Sequence, residues 1–194
     1  MPAGLLADLA VSATAFVGTN ADNAAVTMVM VVTAPPSRAR RVIIGQLSGF
    51  GFLVAVAAAT AAILFEIPAW VVGLLGAVPL AIGFRGLVLL ARGEHRDPSR
   101  RAVGTGYVAA ALVTVGAGGD NLAAYIPLLR TGGITAVAAT VAVFVAGEVL
   151  LTLFVLWTGR HPRSRPVYEK LHAGAGPILS CVVGLVVMWW AGTV

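Results

Sequence analysis

Six long apolar runs divide the chain, with short polar stretches between them. They cover roughly Leu5–Thr33, Val42–Phe65, Trp70–Ala91, Val103–Leu129, Ile134–Thr158 and Gly174–Gly192. A helix needs about 20 apolar residues to cross the hydrocarbon core of a bilayer. Each run therefore predicts one transmembrane helix. The chain reads as a single all-α transmembrane domain over residues 1–194. Ala, Gly and Val dominate the runs, which favours close packing through small residues, and Gly45 and Gly49 form one small-xxx-small pair.

Composition excludes the soluble alternative. Hydrophobic residues make up 59% of the chain and charged residues 11%, with a mean hydropathy of +0.94. A soluble domain carries about 25% charged residues. One cysteine, Cys181, excludes a disulfide framework, a multi-cysteine zinc site and a paired-cysteine redox motif.

The net charge of +5 points to membrane orientation rather than to nucleic acid. Arg38, Arg40 and Arg41 lie between runs 1 and 2. Arg92, Arg96, Arg100 and Arg101 lie between runs 3 and 4, and Arg160, Arg163, Arg165 and Lys170 between runs 5 and 6. These loops hold 11 of the 13 basic residues. They are predicted to be cytoplasmic, which puts both termini outside. No Lys or Arg precedes the first run, so an uncleaved first span is expected rather than a secretory signal.

Runs 1 and 4 share a motif. Val17-Gly18 and Asp22-Asn23 recur as Val115-Gly116 and Asp120-Asn121, and Ala25 recurs as Ala123, all at a shift of 98 residues. The chain therefore divides into two three-span repeats, about 1–97 and 98–194. An odd number of spans inverts the second repeat. This is the plan of many secondary transporters, whose sites lie near the midplane at the repeat interface.

Asp22 and Asp120 each fall near the middle of an apolar run. A carboxylate there costs about 2.5–3.5 kcal/mol on insertion scales, so such acids point to function. In a helix Thr19, Asp22 and Asn23 share one face, grouping a hydroxyl, a carboxylate and an amide, with Asn20 beside them. Gly118 and Gly119 weaken the helix before Asp120, and Pro127 removes the partner of the Ala123 carbonyl. Helices 1 and 4 are thus expected to be broken or polar near the midplane. Two carboxylates facing each other suit one divalent cation, or a cation and protons in turn.

Glu148 is a third buried acid, readable as a proton site, a ligand or a partner for Arg85. Arg85 either reaches the cytoplasmic interface or offsets an empty acidic site. Asp8 and Glu66 read as interfacial. His95, His161 and His172 belong to loops or their edges. Met28, Met30, Met188 and Cys181 read as packing, and Trp189 and Trp190 as an aromatic belt. No phosphate-binding loop and no nucleophile with a base beside it is found, so an enzyme is not expected.

At Thr19-Asn20-Ala21-Asp22-Asn23 and Gly118-Gly119-Asp120-Asn121, the sequence resembles the cadmium-resistance transporters of the CadD type, in the LysE superfamily. Tyr125-Ile126-Pro127, Ile44-Gly45-Gln46 and the Trp70–Gly83 run carry the resemblance further. It implies efflux of cadmium or a related divalent cation across a bacterial inner membrane. It marks Asp22, Asn23, Asp120 and Asn121 as site residues, and a cation as substrate with no cofactor. Hard oxygen ligands suit manganese or calcium equally well, and zinc is a further alternative. A small organic cation or an amino acid is the alternative substrate class. A homodimer is an expectation from the glycine-rich surfaces.

Overall fold

The computed structural model describes residues 3–93, 106–131, 133–160 and 165–192. Within them every regular element is helical: α1 (Ala3–Thr33), α2 (Pro36–Ile63), α3 (Ala69–Gly73), α4 (Ala77–Ala91), α5 (Tyr107–Ala117), α6 (Gly119–Thr131), α7 (Ile134–Arg160) and α8 (Arg165–Trp190). Arg96, Arg100, Arg101, Arg163, His95 and His161 lie outside the described residues, as do the side chains of Arg160, Arg165, Lys170, His172 and Trp190.

Among the described residues, four stretches are long and apolar enough to cross a membrane: Gly4–Thr33, Ser37–Glu66, Ala69–Ala91 and Ile134–Gly159. The pair α5 and α6 makes a fifth when counted as one span, bent by 64°. In α8 the described side chains, Pro177–Trp189, form an apolar stretch within the sixth predicted run.

Two details refine the expectation that helices 1 and 4 are broken or polar near the midplane. α1 runs without a break through Thr19, Asp22 and Asn23, so its midpoint is polar but not broken. The fourth run breaks at Gly118, whereas α6 continues through Pro127. Two successive glycines end α5, while the proline sits in an otherwise intact helix.

The helices pack in a definite pattern. α1 lies against α7 and α8, α2 against α5 and α6, and α4 against α8. Large apolar side chains such as Ile63, Phe65, Val108, Leu150 and Trp189 remain exposed. In water this would be a liability, but it suits lipid-facing surfaces. The hydrogen-bonded backbone of a helix is what lipid tolerates.

Glycines set the closest crossings. A Cβ on Gly45 would lie 2.1 Å from the Tyr107 carbonyl oxygen, and one on Gly49 would lie 2.9 Å from that of Ala111. The small-residue pair thus brings α2 against the backbone of α5. A Cβ on Gly83 would meet the Cys181 nitrogen at 2.5 Å, and one on Gly184 the Gly76 oxygen at 2.6 Å. At the end of α2, the Arg130 guanidinium donates to the carbonyls of Leu64, Phe65 and Ile67. One cation so gathers three carbonyls just past α2, of which that of Leu64 also accepts from the Ile67 N–H at 3.0 Å.

Gly45→Ala is expected to lower stability by about 1–3 kcal/mol, the usual effect of overpacking. Gly51→Ala, at a position with open space, is expected to have little effect. Thermal unfolding of both variants in the same detergent, followed by size-exclusion chromatography, checks the contrast.

Candidate functional site

The break between α5 and α6 opens a cavity of about 500 Å³. Thr19, Asp22 and Asn23 reach it from α1, and Asp120 and Asn121 from α6. Gly116, Ala117, Gly118 and Gly119 bring backbone to its wall, and Val78, Ile82 and Val113 add apolar surface. The helical i, i+3, i+4 face of α1 thus meets the first turn of α6. Both Asp side chains are part-buried, while Thr19, Asn23 and Asn121 are buried.

Local chemistry explains the break. Gly118 caps α5 with its N–H on the Val115 carbonyl at 3.1 Å, and its own carbonyl accepts from Leu122 at 3.0 Å. One helix ends and the next begins at one residue. The carbonyl end of α5 carries partial negative charge, and the amide end of α6 partial positive charge. Asp120 sits in that first turn of α6, and its Oδ1 accepts from the Asn121 N–H at 2.9 Å. The cavity wall therefore combines two carboxylates with two opposed helix ends.

Behind the wall lies a polar core that anchors it. Asn121 Nδ2 donates to Asn20 Oδ1 at 3.2 Å. Asn20 Nδ2 donates to Tyr125 Oη at 2.5 Å and to the Phe16 carbonyl at 2.9 Å. Thr19 Oγ1 donates to the Ala15 carbonyl at 2.9 Å, and Tyr125 Oη lies 3.4 Å from it. The Tyr125 ring lies 4.0 Å from that of Phe144 and edge-on to Phe50 at 6.4 Å. Asn20 therefore stands behind the cavity, orienting Asn121, and is not among the lining residues.

Two buried amide atoms at the wall have no hydrogen-bond partner, Asn121 Oδ1 and Asn23 Nδ2. Asn23 Oδ1 accepts from Thr114 at 3.4 Å. The unpartnered Asn121 oxygen is an acceptor that a cation would satisfy. No cluster of three or more His, Cys, Asp or Glu residues is found among the described residues. A cation here would therefore rely on two carboxylates, amide and hydroxyl oxygens and backbone. This is a hard donor set.

The remaining candidates lie elsewhere. Arg85 is exposed on α4 and does not line the cavity. Glu148 is buried on α7, away from the lining, where Gln46 Nε2 of α2 donates to its Oε1. Gln46 is thus the partner of Glu148, in place of Arg85. Tyr125 and Gln46 both stand inside motifs quoted above, yet no pattern on a single helix signals what they touch. Cys181 is part-buried in the α4–α8 crossing, and Met28 and Met30 belong to buried apolar clusters.

Several membrane-length apolar helices packed together define a multi-pass membrane protein. Residues 16–194 match the family of cadmium resistance transporters, and the chain belongs to it. Membership makes it a transporter and points to metal-ion export. No curated protein and no solved structure matches the chain.

Tyr125→Phe removes the hydroxyl that Asn20 Nδ2 meets. A loss of about 1–3 kcal/mol is expected from the damaged buried network. Denaturation of the purified variant, compared with wild type, measures it. Val108→Ala, on an exposed apolar position of α5, serves as the neutral comparison.

Proposed function

We propose that this chain exports cadmium, or a related divalent cation, from the bacterial cytoplasm by alternating access. The cation is held in the cavity by Asp22 and Asp120, with Asn23, Asn121 and Thr19 supplying further oxygens. The observation that carries this reading is that both intramembrane carboxylates line one cavity at a helix break. Asn20 acts by orienting Asn121, and protons returning through buried acids of the same bundle drive the cycle.

The frame for this cycle is six helices in two inverted repeats, with α3 and α4 forming one span and α5 and α6 another. Packing supports it, because contacts occur in exchanged pairs. The α1–α7 contact corresponds to that of α2 with α5 and α6, and the α1–α8 contact to those of α6 with α3 and α4. The sequence supports it further at the same shift of 98 residues. Gly49 recurs as Gly147, Pro79 as Pro177, and Gly86 as Gly184. With the Arg-rich loops in the cytoplasm, both termini face outward, and the protein resides in the inner membrane.

A second reading keeps the site and changes the cargo. The cavity exceeds what a bare ion needs, and Val78, Ile82 and Val113 give it an apolar side. A small organic cation, or an amino acid through its ammonium group, would use both features.

Sensitive bacteria expressing the wild type are expected to accumulate less cadmium than empty-vector cells. Asp22→Asn and Asp120→Asn, at matched expression, are expected to restore accumulation. Each is expected to weaken binding to the purified protein at least about tenfold, equivalent to about 1.4 kcal/mol. Manganese and zinc run in parallel identify the preferred metal. Unchanged accumulation of all three metals would overturn the metal reading and make amino-acid efflux the next assay.

A further inference from the structure

Gln46 and Glu148 form a pair that the cavity does not use. Both are almost completely buried, Gln46 at 0% and Glu148 at 3% exposure. The amide Nε2 of Gln46 donates to Glu148 Oε1. The two atoms left over, Gln46 Oε1 and Glu148 Oε2, are both buried without a hydrogen-bond partner. Both are oxygens, so neither can satisfy the other. A buried unpaired acceptor is costly, and a buried unpaired charge much more so.

We propose that Gln46 and Glu148 form a proton-binding site, in which one proton on Glu148 Oε2 is donated to Gln46 Oε1. A primary amide and a carboxylic acid then face each other through two hydrogen bonds, and one proton satisfies both leftover atoms. When the proton leaves, Glu148 becomes a carboxylate facing the amide oxygen, and the second bond is lost. The ligand is a proton, and the site is separate from the residues that line the cation cavity.

Among the described residues, no group pairs with the leftover Glu148 oxygen. The helices packed against α7 are α1, α2 and α6. Asp8 and Asp22 are the charged residues of α1, and Asp120 and Arg130 those of α6, which also carries the Tyr125 phenol. Those of α2 are Arg38, Arg40 and Arg41, all exposed. Arg130 donates to backbone carbonyls beyond α2. None of these groups pairs with Glu148 Oε2.

The position of the pair gives the proton a mechanical role. α7 packs on α1, whereas α2 packs on α5 and α6, and Gln46–Glu148 is a polar link between these two units. A bound proton fastens the link and a released one loosens it. This deepens the proposed export reading, and it makes the coupling acid distinct from the metal-holding acids.

Infrared spectroscopy of the purified full-length protein in lipid nanodiscs at neutral pH, without metal, tests the site. The wild type is expected to show a protonated-carboxyl C=O band that shifts in D2O and shifts again when glutamate is 13C-labelled. Glu148→Gln, which can keep both hydrogen bonds as an amide pair, is expected to lose the band while staying folded. Gln46→Met is expected to move the band to higher frequency. Absence of a glutamate-derived band in the wild type, or its persistence in Glu148→Gln, overturns the proposal. In a second arm, cadmium is added and the released protons are counted with a pH dye. Glu148→Gln, which mimics the protonated site, is expected to release fewer protons and to make cadmium affinity less dependent on pH. A loss of affinity tenfold or greater with unchanged proton release would make Glu148 a metal ligand and overturn the proposal. The first arm needs no metal, so failure of the export reading leaves it decisive.

Discussion

The hydrogen bond from Asn20 Nδ2 to Tyr125 Oη, 2.5 Å long, ties the continuous helix α1 to α6, the helix that follows the break at Gly118. Everything at the cavity depends on that tie. A hydrocarbon surrounding offers no water to unpaired amides and hydroxyls, so they must find each other inside the protein. Asn20 satisfies Asn121 with its oxygen and Tyr125 with its nitrogen. This fixes where the first turn of α6 lies against the middle of α1. The aromatic packing of Tyr125 on Phe144 and Phe50 then holds the phenol in place from behind. The carboxylates can remain only part-buried at the cavity because the layer behind them is fully organised.

The two acids occupy like positions in the sequence repeat but unlike positions in the structure. Asp22 projects from the middle of an unbroken helix, with all surrounding backbone groups in a helical ladder. Asp120 sits at a helix start, directly after the carbonyl end of α5. A cation between them would meet a carboxylate on an unbroken helix on one side. On the other it would meet a carboxylate beside two opposed helix ends, whose partial charges favour opposite ions. At the α5 end, Gly116 to Gly118 bring backbone to the cavity wall. Glycine is suited to this wall, because side chains there would screen the carbonyls.

Much of this was legible in the sequence, and the reasons are specific. Apolar runs of membrane length are hard to disguise, so the helices α1, α2 and α7 follow the expected boundaries closely. Buried acids in such runs stand out, and Thr19, Asp22, Asn23, Asp120 and Asn121 reach one cavity. The break at Gly118 was foreshadowed by two glycines, although the proline later in the same run drew equal weight and leaves α6 intact. What could not be read were contacts across helices. Nothing within α1 says that Asn20 turns away from the cavity toward Tyr125. Nothing within α7 says that Glu148 meets Gln46 rather than Arg85. Periodicity assigns a residue to a face, but only packing assigns it a neighbour.

The proposed repeat would account for a polar pair standing beside an aromatic cluster in the same layer. At the shift of 98 residues Gln46 corresponds to Phe144, and Phe50 to Glu148. Each of α2 and α7 therefore presents one polar and one aromatic residue, one turn apart, in reversed order. If the repeats are inverted, the helices run so that Gln46 meets Glu148 at one level, while Phe50 and Phe144 share the other. Phe50 and Phe144 do lie in one buried cluster with Phe16 and Tyr125. A repeat that kept identical residues would have placed two polar groups together at both levels, or at neither. Divergence between the halves concentrates polarity at one level and aromatic packing at the other. A buried acid–amide pair is tolerable in lipid only when such packing keeps its two members face to face.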